Sequence, residues 1–149
     1  MRWSLTVAPG HIVEVLEERL LAQLGDAATR LQRQYPRLRI HTWSSPVGSG
    51  TEYQGHDVGI DCVNPAASEA EPGNLALSLG VMHLTTEPML CTADVRWGQG
   101  GPDGGLDLLP EPVPWSLQAL HALEARLPEL LESLERELGV LDRMGRRGA

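Results

Sequence analysis

Four stretches of this chain alternate apolar and polar residues with a period of two, and nothing else in it restricts the fold as severely. In RLRIHTW (37–43), Leu38 and Ile40 alternate with Arg37, Arg39 and His41. In HDVGIDCV (56–63), Val58, Ile60 and Cys62 oppose Asp57, Gly59 and Asp61. LALSLGVMHL (75–84) sets Leu75, Leu77, Leu79 and Val81 against Ala76, Ser78, Gly80 and Met82. MLCTADVRW (89–97) sets Met89, Cys91, Ala93, Val95 and Trp97 against Leu90, Thr92, Asp94 and Arg96. Successive side chains on a strand point to opposite faces, so each stretch has one apolar face and one wet face. The short TTEP turn between the last two reads as a hairpin. SSPVGSGTEYQG and NPAASEAEPGN are longer connections, rich in Pro, Gly and Ser.

Two stretches of helical period flank these strands. Residues 11–35 place Val13, Leu16, Leu20, Leu24, Ala27 or Ala28, Leu31 and Tyr35 on one face. Gly25 and Asp26 are expected to weaken its middle, and Pro36 to end it. Residues 115–141 carry Leu117, Leu120, Leu123, Leu127, Leu130 or Leu131, Leu134, Leu138 and Leu141 in one stripe. Pro128 is expected to kink that helix or divide it, and Gly139 to begin its C-terminal end. Residues 143–149 are expected to fray. A leucine stripe also suits a coiled-coil dimer, but packing on the sheet is the simpler use of it.

The expected fold is therefore α+β, in the order α-β-β-β-β-α. Strands adjacent in sequence usually pair, which makes the sheet a four-stranded antiparallel meander. Both helices then cover its one apolar face, and the other face stays open. At 149 residues the chain suits a single domain over 1–149, burying roughly 70% of its unfolded surface.

Composition narrows the partners. The formal net charge of -8 argues against nucleic acid and anionic membrane as partners. All 12 basic residues are Arg and Phe is absent, which reads as the imprint of a GC-rich bacterial genome and not as a function. No window approaches the ~18 uninterrupted apolar residues of a membrane span. MRWSLTVAPG lacks the long apolar core of a secretion signal, so a cytoplasmic protein is expected. Cys62 and Cys91 are too few for a disulfide framework, and both are inward by parity, so buried free thiols are expected.

WGQGGPDGG (97–105) holds five glycines in nine positions and invites a phosphate-loop reading. Such a loop must lead straight into a helix, whose first amides hold the anion. Here it leads into LDLLPEPVP, which its prolines keep out of a helix. There is no Lys to reach a phosphate, and Asp103 and Asp107 would repel one. A flexible connection to the last helix is the better account.

Other chemical signals are weaker still. His56, Asp57 and Asp61 have metal-ligand chemistry, but His56 and Asp57 point to opposite faces of a strand, so no metal and no cofactor is expected. Ser44 and Ser45 lie near His41 without a nucleophile elbow around them, in a loop that opens before Pro46. His83 shares the parity of Val81 and reads as a rim residue. Arg30, Arg33, Arg37 and Arg39 could contact nucleic acid or an acidic partner, although helix-end cations explain part of that cluster and the overall charge disfavours nucleic acid.

One constellation remains. With the strands paired in order, the open face collects Arg39, His41 and Trp43, then Asp57, Gly59 and Asp61. Ala76, Ser78 and Gly80 follow, then Thr92, Asp94 and Arg96. Its centre is a trough of small side chains that another molecule can approach closely. The expected function is a small acidic protein-binding module, an accessory or regulatory subunit or an immunity-type inhibitor of a basic toxin. Arg39, His41, Trp43, Tyr53, Asp57, Asp61, Ser78, Asp94 and Arg96 are its expected contacts. The partner is another protein, basic in character, or a second copy in a homodimer. The competing expectation is a small-ligand-binding protein or hydrolase with a site around His41, Tyr53, His56, Asp57 and Asp61.

Overall fold

The computed structural model describes residues 12–47, 53–84, 87–98 and 105–145. The alternating stretches form strands β1 (Arg39–Val47), β2 (Tyr53–Val63), β3 (Asn74–Leu84) and β4 (Glu87–Trp97). Each pairs antiparallel with the next, as expected. The sheet does not stop at four, however. A short strand β5 (Val113–Pro114) pairs with Met89 and Leu90, giving the order β1-β2-β3-β4-β5.

The extra strand comes from the proline-rich stretch that the sequence presents as a plain connection. Leu106 O accepts from Val95 N at 2.9 Å, and Leu108 N donates to Ala93 O at 2.8 Å. The connection thus pairs along the outer side of β4 and closes that edge. Prolines are tolerated because an outermost strand needs donors on one side only. The same rule lets β1 run on through Ser44, Ser45 and Pro46, expected to be loop: β1 is the opposite edge, where Pro46 costs no ladder bond.

The first helix, α1 (residues 12–34), is an α-helix over Ala22–Gln34 and widens into a π turn at Glu17–Leu21. Its buried residues explain the widening. Ile12, Leu16, Leu20 and Leu24 recur in steps of four, which drift about 40° each around a 3.6-residue helix. A wider turn keeps them in line above the sheet. Ile12, not Val13, is the fully buried residue at the start.

The C-terminal helical stretch divides into α2 (Leu117–Ala125) and α3 (Leu127–Asp142). Ser116 Oγ caps α2 by accepting from Ala119 N at 2.9 Å. Pro128 occupies the first turn of α3, where a missing N–H has no helical partner to lose. Leu117, expected in the buried stripe, is 52% exposed at the start of α2, whose buried residues are Leu120 and Leu123. Gly139 lies within α3 and does not begin its end.

All three helices serve one core. α1 packs on β1 and β2, and α3 packs on β3 and β4. Ion pairs tie them together, Arg19 to Glu124 at 2.6 Å and Arg30 to Glu135 at 3.2 Å. Leu24, Leu31, Leu130 and Leu134 meet Val58, Ile60, Leu75 and Leu77 in a single apolar cluster between helices and sheet. Asn64, buried in the β2–β3 connection, donates to Leu141 O at 2.7 Å and Met144 O at 3.0 Å. It thereby satisfies carbonyls that the end of α3 leaves open. Residues 143–145, expected to fray, form a docked turn with Met144 packed against the core.

Several expectations fall outside the described residues. They concern the N-terminal segment MRWSLTVAPG, the loop at 48–52, the turn residues Thr85 and Thr86, the glycine run at 99–104 and the tail at 146–149. The side chains of Tyr53, Gln54 and His83 are outside them as well. Among the described residues no helix is long and apolar enough to cross a membrane.

Candidate functional site

The open face assembles as the pairing order requires. Three cross-strand rows are in register: Trp43–Gly59–Ser78–Asp94, His41–Asp61–Ala76–Arg96, and Ser45–Asp57–Gly80–Thr92. The central trough is not empty, though. The Trp43 indole lies across Gly59, where a Cβ would collide with the ring and with Leu77 O. The Asp57 carboxylate lies over Gly80 in the same manner. Each glycine thus receives the side chain of the neighbouring strand, an arrangement by which aromatic residues compensate strand glycines.

One parity assignment is corrected. The β3–β4 register shifts between Gly80 and Val81, so that Gly80 faces Thr92 while Val81 faces Leu90. The intervening Cys91 is the extra residue of a β-bulge. Leu90, assigned to the wet face by simple alternation, is buried in the core. Cys91, assigned to the core, is half-buried on the open side, with Sγ 3.7 Å from Gly80 O and from Thr92 Oγ1. Cys62 is the one of the two that is fully buried.

The small residues Ala76 and Ser78 separate two shallow hollows. One, of about 300 Å³, is lined by His41, Trp43 and Asp61. His41 Nε2 stands 3.8 Å from Asp61 Oδ2, too far for a hydrogen bond. The other, of about 250 Å³, is lined by Asp57, Asn74, Thr92, Asp94 and Arg96. Arg39 and Arg96 are exposed at the margins, and Arg96 holds Asp94 at 2.7 Å.

The second hollow carries unusual electrostatics. Asp57 accepts no hydrogen bond among the described residues. Burial, helped by the charge of Asp94, pushes its carboxyl up from 3.8 to about 6. Asp94 is only 6% exposed, and burial raises its carboxyl too, with Asp107 adding to the rise. Arg96 opposes that rise without cancelling it. Asp107 reaches the site because it pairs with Asp94 in a single antiparallel bridge, a neighbour no sequence pattern announces. Two carboxylates therefore share a hollow with one guanidinium, and Asp57 has no counter-ion of its own.

The residues of the competing hydrolase or ligand reading fall on two faces of the sheet, with the side chain of Tyr53 outside the described residues. His41, Asp57 and Asp61 are on the open face, whereas His56 is on the helix side, with the parity of Val58. There His56 Nε2 lies 2.7 Å from Ser44 Oγ, which donates to Glu17 Oε2 at 2.7 Å. With its single proton on Glu17, the Ser44 hydroxyl accepts from His56 and is not activated by it. Among the described residues no group of three or more His, Cys, Asp or Glu is placed to hold a metal ion. No family model, curated protein or solved structure matches the chain.

Proposed function

We propose that the protein is a small binding module whose open sheet face takes hold of a cationic side chain of another protein. The observation that carries this reading is Asp57, half-buried beside Asp94 and without a donor among the described residues. A carboxylate so placed costs free energy in the isolated chain. An arginine or lysine seated in the hollow offsets that cost by bringing the missing positive charge. Ser78, Thr92 and Asn74 line the same hollow and present polar groups around the guest. Trp43, fixed over Gly59, offers an aromatic wall in the adjoining hollow.

The wider charge agrees with such a partner. A net charge of -8 draws a basic protein in and speeds the encounter. This is the chemistry of an accessory subunit or of an inhibitor that covers a basic surface, with Arg39, His41, Asp61 and Arg96 at the rim. Tyr53 belongs to the same proposal as the first residue of β2.

The test is an NMR titration of the labelled protein with a short arginine-containing peptide and with its glutamate counterpart. The arginine peptide is expected to shift Asp57, Ser78 and Thr92, and Asp57→Asn with Asp94→Asn to weaken it at least tenfold. Affinity is expected to fall as the pH drops through about 6, where Asp57 takes up its proton. Equal binding of both peptides, or full binding by the double variant, would show the reading to be wrong.

A further inference from the structure

β1 is an outer strand of the sheet, and it is provided for pairing in a limited, defined way. Ile40 N donates to the Gln32 side chain at 3.0 Å, so its peptide group faces away from β2. Alternation then turns the peptide groups of Thr42, Ser44 and Pro46 outward too. Gln32 occupies the first of these positions and Pro46 has no N–H at the last. Among the described residues, Thr42 and Ser44 remain as a short, open ladder of donors and acceptors.

Beneath that ladder lies a groove of about 530 Å³ between α1 and β1. Its helical wall runs from the small residues Gly25, Ala28 and Thr29 to Gln32 and Arg33, and a Cβ on Gly25 would meet nothing within 4 Å. One end of the groove is basic. Arg33 lines one end of the groove and Arg37 follows in the turn from α1 into β1, both exposed and without an ion pair among the described residues, whereas Arg39 has the parity of the open face. Arg19, Arg30, Arg96, Arg126 and Arg136 by contrast each hold a carboxylate. In a chain of net charge -8, a basic end made by Arg33 and Arg37 is a feature that charge complementarity to an acidic partner explains.

We propose that the β1 edge receives an extended acidic segment of another protein as an added strand. The main chain of that segment pairs with Thr42 and Ser44, and its carboxylates meet Arg33 and Arg37. Antiparallel addition, the only mode of pairing in this sheet, brings the C-terminal half of the segment to the arginines. From Arg39 to Ser44 the strand extends about 17 Å at ~3.3 Å per residue, so a segment of about six residues covers it. This site is separate from the acidic hollow and takes the opposite charge.

Two synthetic octapeptides test it, both Val/Thr-rich in their first half, one ending in Glu residues and the other in Lys residues. The acidic peptide is expected to bind the full-length protein at least tenfold more tightly. Its amide shifts should centre on Thr42 and Ser44 and leave Asp57 and Asp94 unmoved. Replacing Arg33 and Arg37 together by Ala, both surface changes, should weaken it at least tenfold. Methylating the peptide's alternate backbone nitrogens should do the same, while Asp57→Asn leaves it unchanged. The proposal is overturned if the two peptides bind alike, if the double variant binds as well as the native chain, or if the shifts fall on the open face. It is equally overturned if light scattering finds a dimer without peptide, with the Thr42 and Ser44 amides already protected.

Discussion

The Asp57 carboxylate rests on the bare backbone of Gly80, its partner across the β2–β3 pair, in the space where any other residue would carry a Cβ. The same relationship holds between Trp43 and Gly59 one row along. These contacts turn a row of small residues into a sheltered acidic hollow, and they differ in how they answer to substitution.

Adding a methyl group separates them. In Gly59→Ala the new atom meets Leu77 O and the Trp43 ring, and neither yields easily. A loss of about 1–3 kcal/mol is expected in chemical denaturation. In Gly80→Ala it meets the end of the Asp57 side chain, which can swing into water. Stability should change by less than about 1 kcal/mol, since Ala suits a strand better than Gly. The Asp57 titration, followed by carbonyl NMR, should then fall well below 6.

Asp57 also imposes a pH dependence on the fold. Its folded-state carboxyl titrates at about 6 against an ordinary 3.8, so the folded chain binds this proton more tightly than the unfolded chain does. The stability due to this group is full below pH 4 and is lost as the pH rises through 6. Asp57→Asn removes the loss. The variant is expected to be more stable than the native chain at pH 7.5 by the order of 1 kcal/mol, allowing for solvent screening. Near pH 4 the two should coincide, and a variant less stable at pH 7.5 would contradict this account.

Asn64 is expected to be the costliest polar residue to remove. Its amide donates to Leu141 O and Met144 O, and its Oδ1 accepts from Ala66 N at 2.9 Å. Asn64→Ala leaves those buried groups unsatisfied and should cost about 2 kcal/mol in thermal melts. Asn64→Asp sets a carboxylate against the two carbonyls, so its deficit should be larger at pH 7 than at pH 4.

The thiols should react in a set order. Burial pushes Cys62 up to about 12 and also raises Cys91, which is only half-buried. With iodoacetamide at pH 8, Cys91 should be modified slowly and Cys62 only when the chain unfolds. Mass spectrometry of the native protein showing Cys62 modified first would refute the bulge that puts Cys91 on the outside.

What the amino-acid order determined here is the content of the layers. The period-two stretches around Val58, Leu77 and Val95, and the leucine steps of α1 and α3, state which side chains must leave water. Adjacency in the chain then makes the antiparallel order β1 to β4 nearly unavoidable. Tertiary structure alone decided the details that shape the sites. Nothing local marks the bulge at Cys91, because an extra residue is legible only against the partner strand that it fails to match. Nor does anything local show that LDLLPEPVP supplies an edge strand, or that Asp107 comes to lie beside Asp94. The occupation of Gly59 by Trp43 and of Gly80 by Asp57 depends on register between strands. Burial is a property of a residue's own pattern, whereas contact and electrostatic coupling belong to pairs far apart in the chain, and those distances exist only once the chain has folded.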